Sequence, residues 1–348
     1  MKNFVSKMLW PLFILLLFVF CGCANDNDDN NGSQTTTAKI GDYFPITENT
    51  KYVYEGMGNE YASYTVYNDY TEADKLQQRL NNGGTETVNI IQIFEGKLIK
   101  VFAESEIYYR ENFLVKQDND TEILLMEPLQ KGNSWTLTDG RVRSITDTEA
   151  SVSTPLGDYK AVEVTTESGN GKNIDYYAKD VGLVKSIFKE GETEISSSLA
   201  QIEKDVPLIQ NINFYYPNIN DEKIYYKNVA VNFYTNDVTR EKLAQAYKGE
   251  PVANTGKVFS ENTQINSLYL NDDGMVYLDL NKAFLQEMNA GAGYEAMILQ
   301  SIANTFGQYY NAEKVILTIE GKPYESGHIA LQEGEYLQVN YDNVIEGS

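Results

Sequence analysis

His328 is the first residue to test for catalytic chemistry, because it is the only histidine among the 348 residues. A Ser-His-Asp triad would have to use it, yet the sequence has no Gly-x-Ser-x-Gly elbow. Neither of the two glycine-rich phosphate-binding motifs occurs. A lone histidine after Ser326-Gly327 is typical of a loop or strand edge. We therefore predict that the chain is not an enzyme and holds no cofactor.

Acidic residues are the next candidates, because 50 Asp and Glu side chains make some carboxylate pair inevitable. Asp272-Asp273 lies in an Asn-Asp-Asp-Gly stretch that a hairpin turn explains. Asp26, Asp28 and Asp29 alternate like the start of a calcium loop, but the loop's glutamate is absent. We predict no metal site. A glycosidase would need two acids about 5 to 9 Å apart in a cleft, which a sequence cannot show, so a hydrolase remains an alternative.

Cys23 carries the clearest chemical signal. Two lysines precede an apolar run over residues 8–20, which is too short for the roughly 20 residues of a membrane-spanning helix and is typical of a signal peptide. The Phe20-Cys21-Gly22-Cys23 stretch that follows resembles a bacterial lipobox. The resemblance implies cleavage after Gly22 and lipidation of Cys23, with acyl chains such as palmitate. Cys21 is the only other cysteine, so a disulfide framework is excluded.

Composition predicts four segments in the chain, and net charge limits the partners that the protein can bind. Residues 1–22 are predicted as the signal peptide and 23–39 as the lipidated cysteine with a polar, flexible tether. A domain boundary is predicted at the polar stretch before Val206-Pro207, giving domains at 40–204 and 205–348. The formal net charge of −22 argues against nucleic acid. We expect a lipid-anchored protein on the outer face of the cell membrane, in a Gram-positive bacterium.

The predicted fold class is α+β, with an antiparallel all-β domain first. Short strands separated by Gly, Asn and Asp turns over residues 40–204 indicate a curved sheet or open barrel. Strands are predicted at residues 105–110 and 112–116 among others. Only residues 72–80 have a weak helical pattern.

The predicted order of elements in the second domain is β-α-β-β-α-β, which indicates a layer of helices packed against a sheet. A helix is predicted from Asn236 or Asp237 to Tyr247, where Lys248-Gly249-Glu250-Pro251 stops it. The clearest helix covers residues 294–308, with apolar residues at spacings of three and four. Residues 264–270 and 275–280 form a predicted hairpin.

Residues 211 to 325 resemble the GerMN domain, the sporulation and spore-germination module of envelope proteins. The matching pieces, in chain order, are Phe214-Tyr215-Tyr216-Pro217, residues 244–247 leading into Gly249-Glu250-Pro251, the hairpin 265–280, the helix 295–306 and the strand 315–319 before Glu320-Gly321. The family usually has Pro-Gly-Thr before the hairpin, and Ser260-Glu261-Asn262-Thr263 lacks the Pro-Gly, so the resemblance does not extend to that loop. The resemblance implies a non-catalytic α/β module outside the membrane and names no ligand.

Two functional hypotheses follow. The first is a scaffold lipoprotein whose second domain contacts an envelope protein partner. The alternative is a carrier of an apolar ligand, a lipid or glycolipid, in the concavity of the first sheet. The chain also has five adjacent tyrosine pairs, and in a strand one member of each pair faces the core and the other faces out. Exposed tyrosines can stack on sugars or anchor a protein interface, and ordinary β-sheet surface is the alternative interpretation. The pairs begin at Tyr108, Tyr176, Tyr215, Tyr225 and Tyr309.

Overall fold

The strands of the first half show alternating buried and more exposed side chains. In Thr50–Met57, Thr50, Tyr52 and Tyr54 are buried while the residues between them are more exposed, as a pleated strand with one inward face requires. The computed structural model describes residues 38–117, 121–169 and 171–347. Cys23, the tether and the signal peptide lie outside these residues, so their assignments remain predictions. Ala38–Ser348 group together as one unit.

Twelve antiparallel strands form the first sheet. They are β1 (Thr50–Met57), β2 (Tyr64–Glu72), β3 (Lys75–Asn81), β4 (Glu86–Phe94), β5 (Lys97–Ser105), β6 (Glu122–Met126), β7 (Ser134–Thr136), β8 (Val142–Thr154), β9 (Gly157–Ser168), β10 (Gly171–Ala178), β11 (Gly182–Glu190) and β12 (Thr193–Lys204). Strands β1 to β6 pair in chain order, and so do strands β7 to β12. Strand β1 also pairs with β12, which joins the two groups and leaves β6 and β7 at the two ends of the sheet. Because β12 returns to β1, the two meanders curve into a nearly closed barrel.

Side chains join the two ends of the sheet. The indole nitrogen of Trp135 in β7 donates to the carbonyl oxygen of Ile123 in β6 at 3.0 Å. Arg143 in β8 donates to the same carbonyl at 2.8 Å and to the carboxylate of Glu122 at 2.7 Å. These bonds occupy a gap where the described strands have no backbone ladder. The predicted antiparallel barrel is therefore confirmed.

Two local predictions in the barrel are wrong. Residues 72–80 are not helical, because Lys75–Asn81 is a strand that pairs with β2 and β4 on its two sides. Residues 105–116 do not continue as strands. Beyond Ser105 the chain forms a loop whose Ile107, Phe113 and Leu114 pack against Val88 and Ile90 of β4 and other barrel residues in a small separate core.

The second half carries two sheets and three helices. Its elements are β13 (Leu208–Asn218), β14 (Lys223–Phe233), α2 (Thr239–Tyr247), β15 (Ile265–Leu270), β16 (Val276–Leu280), α3 (Ala283–Glu287), α4 (Ala292–Tyr310), β17 (Lys314–Ile319), β18 (Lys322–Pro323), β19 (Leu337–Gln338) and β20 (Val344–Glu346), and the short helix α1 (Ile40–Tyr43) precedes the barrel. One sheet has the order β13-β14-β20; in the other, β15-β16-β17-β18, β19 also pairs with β17. The predicted α+β class and both predicted helices are confirmed.

Helix α4 organises the core of this half. Ile298, Ile302 and Phe306 lie on its buried face at spacings of four, as a 3.6-residue period requires. They pack against Val276, Leu278 and other inward residues of β16 and β17. Asn311 ends the helix in the left-handed conformation, with φ of 54°, which Asn tolerates better than most residues.

The loop between β5 and β6 fastens the barrel to the second half. Arg110 in this loop is fully buried. Its guanidinium donates to barrel oxygens at Asp69 O and Tyr70 Oη, and to second-half oxygens at Tyr234 O, Asp237 O and Thr239 Oγ1. A planar guanidinium offers five donors in a fixed fork, so one side chain holds both halves.

A second set of bonds lies beside the first. The backbone nitrogen of Asn49 donates to Thr235 Oγ1 at 2.7 Å, and the backbone nitrogen of Thr235 donates to Asn49 Oδ1 at 2.8 Å. Thr235 Oγ1 donates in turn to the carbonyl oxygen of Asn68. The rings of Tyr109 and Tyr310 meet nearby with centroids 4.8 Å apart. The two halves therefore meet through paired polar groups as well as apolar contacts.

Candidate functional site

The residues singled out by sequence do not come together. His328 is exposed at a turn, where its backbone nitrogen donates to Ser326 Oγ. Asp272 and Asp273 are exposed in the turn between β15 and β16, and Asp273 accepts hydrogen bonds from Met275 N and Tyr277 Oη. The turn prediction is confirmed. Within the described residues, no three His, Cys, Asp or Glu side chains are grouped to hold a metal ion.

The tyrosine pairs follow the strand rule only in part. Tyr177 is buried and Tyr176 is half-buried, as expected for neighbours in β10. Tyr215 and Tyr216 are both buried, because α2 and α4 cover one side of β13 and the carboxyl-terminal segment covers the other. The pair beginning at Tyr309 lies in α4 rather than in a strand.

The interior of the barrel contains a partly open cavity of about 220 Å³. An eight-stranded barrel is filled by its own side chains, and the diameter grows with strand number, so twelve strands leave room inside. The walls carry four tyrosines together with charged and amide side chains. These residues are Tyr52, Tyr54, Tyr64 and Tyr177, with Asn68, Gln78, Asn89, Lys100 and Asp175.

Strand alternation explains why these residues share the cavity. Tyr52 and Tyr54 in β1, and Asp175 and Tyr177 in β10, are each separated by one residue. Side chains two apart in a strand point to the same face, and in this barrel that face is the interior. The sequence interpretation placed a ligand in the concavity but assigned none of these residues to it, and it noted Tyr177 only as a member of a tyrosine pair. The sequence pattern that could have identified the residues facing the interior is the recurrence of polar or aromatic side chains at every second position of these strands.

Asp175 is the acidic group of the cavity. Its Oδ1 accepts a hydrogen bond from Ser186 Oγ at 2.7 Å. No hydrogen bond to Oδ2 from any described residue is present, and that atom is not sealed from the cavity. Burial raises the pKa of the carboxyl group, and the Ser186 bond opposes the rise. A carboxylate oxygen thus faces the cavity with accepting capacity to spare.

Two of the four tyrosines have hydroxyl groups that, like the free oxygen of Asp175, make no hydrogen bond within the described chain. The rings of Tyr54 and Tyr64 stack with centroids 4.6 Å apart, and Tyr54 Oη donates to Leu183 O at 2.7 Å. The hydroxyls of Tyr64 and Tyr177 make no hydrogen bond within the described chain, and neither is sealed off. Burial raises the pKa of both hydroxyls, so they stay protonated and can donate.

The basic groups near the cavity are already paired. Lys100 Nζ lies 2.6 Å from Glu122 Oε2. Glu122 Oε1 also accepts from Arg143, whose Nε donates to Thr166 Oγ1. These ion pairs lower the pKa of Glu122, against the effect of its burial. Lys100 and Arg143 are therefore held by Glu122, and neither forms an ion pair with Asp175.

The segment before β1 closes one end of the cavity. Phe44 and Pro45 line it, and so do Val181 from the turn before β11 and Gly182 and Leu183 at the start of β11. The backbone nitrogen of Asp180 donates to the carbonyl oxygen of Asp42 at 2.6 Å. Glu127 accepts from the backbone nitrogen of Ile40 and pairs with Lys39. Helix α1 is thus fastened across the barrel end.

A wider cleft of about 480 Å³ lies where the two halves meet. Arg110 forms part of its wall, but this side chain is committed to the junction. Glu111 Oε2 and Arg240 Nε are buried there without a hydrogen-bond partner within the described chain. Burial raises the pKa of Glu111, and the nearby backbone of Leu270 in the edge strand β15 opposes the rise.

An aromatic stripe lies on the second sheet. Tyr269, Tyr277 and Ile316 are register partners across β15, β16 and β17. The two rings stack with centroids 5.5 Å apart and an angle of 15°. Tyr269 is 38% exposed and Tyr277 is half-buried, whereas Ile316 is buried, so the exposed part of the stripe is the two tyrosines. This stripe is the surface that best suits the partner-binding hypothesis.

Residues 213–325 match the Germane family model, which is described as sporulation and spore germination. The match covers less than half of the chain and confirms the resemblance of the second half. No curated protein matches the chain. Among the described residues, no helix combines the length and the apolar character needed to cross a membrane.

Three solved structures are similar to the chain. The tandem GerMN domains of the sporulation protein GerM from Bacillus subtilis have 18% identity and a TM-score of 0.30 over 38% of this chain, which spans only 46% of that one. The first GerMN domain of the same protein has 19% identity and a TM-score of 0.26, covering 38% of this chain and 98% of its own. A predicted exported protein with a YmcC-like fold from Bacteroides fragilis has 14% identity and a TM-score of 0.26, covering 47% and 99%.

Proposed function

We propose that this chain is a non-catalytic envelope protein whose barrel binds a small molecule. The observation that carries the proposal is the cavity of about 220 Å³ with unpaired polar groups on an aromatic wall. Ligand sites combine largely apolar walls with a few placed polar groups. In the barrel those groups are the carboxylate of Asp175 and the hydroxyls of Tyr64 and Tyr177.

The volume selects the size of the ligand. Sites for drug-sized molecules measure about 300 to 1,000 Å³, and this cavity is smaller. A lipid or glycolipid with full acyl chains exceeds this volume, so most of such a molecule would lie outside the cavity. We therefore replace the expected apolar carrier with a binder of a compact, partly polar molecule.

The anchoring part of the proposal rests on sequence. Lipidation at Cys23 would hold the protein at the outer face of the membrane, and the tether at residues 24–39 would let the barrel stand away from it. More than one acyl chain is needed for stable attachment, which the resemblance to a lipobox supplies. The description of the Germane model supports a role in an envelope process such as sporulation or germination.

A second candidate function is contact with an envelope protein partner through the second half. The stacked pair of Tyr269 and Tyr277 favours it, because exposed tyrosines are common anchors of protein interfaces. The two functions are compatible, since the cavity and the stripe lie in different halves. The fastened junction would hold one at a set distance from the other.

Native mass spectrometry tests small-molecule binding. Residues 38–348, which contain every contact described above, are incubated with the small-molecule fraction of the host cell and then desalted gently. Asn89→Phe would fill the cavity without removing a described hydrogen bond, and Glu167→Phe places the same ring on the exposed face of β9. A retained mass is expected with the parent protein and with Glu167→Phe, and not with Asn89→Phe. Retention by none of them, or by all three, would overturn the proposal.

A further inference from the structure

We propose that the barrel cavity selects a small organic cation, an alkylammonium or quaternary ammonium group, with Asp175 as its anionic partner. The inference rests on the proposed function and names its ligand class. It follows from the chemistry of the walls, which supply acceptors and aromatic faces for a cation. The basic side chains near the cavity are engaged elsewhere.

Asp175 is the counter-ion in this arrangement. One carboxylate oxygen is held by Ser186 Oγ, which fixes the orientation of the group. The other oxygen faces the cavity without a hydrogen bond from a described residue. A buried carboxylate is stabilised by an opposite charge within hydrogen-bond distance. Water in the cavity can supply hydrogen bonds but not that charge.

No described side chain forms an ion pair with Asp175, although Arg143 and Lys100 both lower the pKa of its carboxyl group. Lys100 lies 2.6 Å from Glu122, and Arg143 lies 2.7 Å from the same carboxylate. Arg143 is further held by Thr166 and by the carbonyl oxygen of Ile123. To reach Asp175, either basic group would have to give up these bonds. The charge that Asp175 lacks is therefore expected from a ligand.

The tyrosines provide the rest of the site. Tyr52, Tyr54, Tyr64 and Tyr177 line a volume that suits a molecule of a few carbon atoms around one nitrogen. Aromatic faces attract cations through the ring quadrupole, and this attraction grows when water is excluded. The formal net charge of −22 also raises the local concentration of cations around the protein.

Protonation of Asp175 sets the pH dependence. Burial raises the pKa of its carboxyl group, so a cation competes with a proton for the same oxygen. The groups that act on it are Ser186, Arg143, Glu122 and Lys100, together with Tyr64 and Tyr177. Of these groups, only Asp175 would bind an entering cation more strongly after it loses its proton. Cation affinity is expected to rise with pH until Asp175 is ionised in the free protein.

Calorimetric titration with three probes tests the inference. Choline presents a quaternary cation, n-butylammonium a protonated amine, and 3,3-dimethylbutan-1-ol a neutral carbon analogue of choline. Residues 38–348 are expected to bind at least one of the cations about tenfold or more tightly than the neutral alcohol. Preference between choline and butylammonium tells which kind of cation fits.

Two variants complete the design. Asp175→Asn keeps the shape and removes the charge, and it is expected to abolish the preference for the cation. Tyr64→Leu is expected to weaken cation binding more than alcohol binding. A cation that binds no better than the alcohol, or equally well to Asp175→Asn, overturns the inference. Neither cation binding at all overturns it too. If a neutral or anionic metabolite is retained and Asn89→Phe blocks it, the proposed function stands while the cation assignment falls.

Discussion

Arg110 and Asp237 stand 127 residues apart in sequence, and the guanidinium of the first donates a hydrogen bond to the backbone carbonyl of the second. Arg110 belongs to the barrel and Asp237 to the second half. Asp69, whose carboxylate pairs with Arg79 at 3.0 Å, supplies the counter-charge 3.7 Å from Arg110 Nε. Both basic side chains are buried. The junction is therefore an ion-pair network sealed from water.

The first prediction concerns this network. Arg110→Ala is expected to lower the free energy of unfolding by about 3 to 5 kcal/mol, because it removes one of the two cations beside the buried Asp69 carboxylate and leaves several buried carbonyl oxygens without their donor. Arg110→Lys retains the charge but not the fork, so it should recover little. Urea denaturation followed by circular dichroism measures the change.

Arg141→Ala is the matched control for Arg110, because Arg141 forms an exposed ion pair with Asp139. Surface pairs of this kind contribute little, so the urea midpoint should hardly move. Equal effects of the two substitutions would show that the junction does not stabilise the fold.

A second prediction compares two buried tyrosines. Tyr216 Oη is buried and makes no hydrogen bond within the described chain, whereas Tyr247 Oη donates to Tyr215 O at 2.7 Å and accepts from Thr305 Oγ1. Tyr216→Phe is expected to raise the free energy of unfolding by about 1 kcal/mol, and Tyr247→Phe to lower it by about 1 to 2 kcal/mol. The same atom is removed in both, so thermal melts with opposite shifts are the expected result. Shifts of the same sign would contradict the reading of Tyr216 as unpaired.

Asp175 gives the third prediction, on pH. An ordinary Asp carboxyl titrates near 3.8, and in the folded barrel its pKa is raised by burial. The folded state then binds the proton more tightly than the unfolded state, so stability is greatest at low pH and is lost as pH rises through the folded pKa. Asp175→Asn cannot ionise and should lack this loss.

The measurement is the urea midpoint of the parent protein and of Asp175→Asn at a series of pH values upward from about 4. The advantage of the variant is expected to grow with pH and then level off. Ser186→Ala, which leaves Asp175 ionisable, serves as the control and should keep the pH-dependent loss. A constant difference between Asp175→Asn and the parent would show that Asp175 does not titrate in this range.

The fourth prediction uses two glycines of helix α4. A Cβ at Gly293 would meet nothing within 4 Å, whereas a Cβ at Gly307 would approach Val339 Cγ2 to 2.2 Å and the carbonyl oxygen of Ala312 to 2.9 Å. Gly293→Ala is expected to stabilise the protein by up to about 1 kcal/mol through helix propensity. Gly307→Ala is expected to destabilise it, because the Ala312 carbonyl belongs to the backbone and cannot move aside freely. Melting temperatures that rise for both would show that the helix end has room.

Regular periodicity made most of the fold predictable. The helix at residues 294–308 and the hairpin around Asn271-Asp272-Asp273-Gly274 appeared where spacing and turn residues indicated. Residues 72–80 were misread because Leu76 and Leu80 suit one helical face as well as one strand face. In the structure β3 has partners on both sides, which local pattern does not reveal.

The candidate site was less accessible to sequence reasoning. A concave sheet was predicted, but which side chains face its interior depends on closure through Trp135 and Arg143. Asp175 looks like an ordinary polar residue of a half-exposed strand until the barrel closes around it. Residues 105–116 were misread for a similar reason, because Arg110 finds its partners in a segment more than a hundred residues later.

The junction also limits how the two halves can recombine during evolution. Exchange of gene segments at the polar stretch around residue 205 would separate Arg110 from Tyr234, Asp237 and Thr239, and would break three of its hydrogen bonds in one event. Either half placed beside a new neighbour would carry a face shaped for the lost one. A recombination event that keeps both halves folded would have to replace residues 105–117 and 234–239 together, so the two halves are expected to travel through evolution as a single unit.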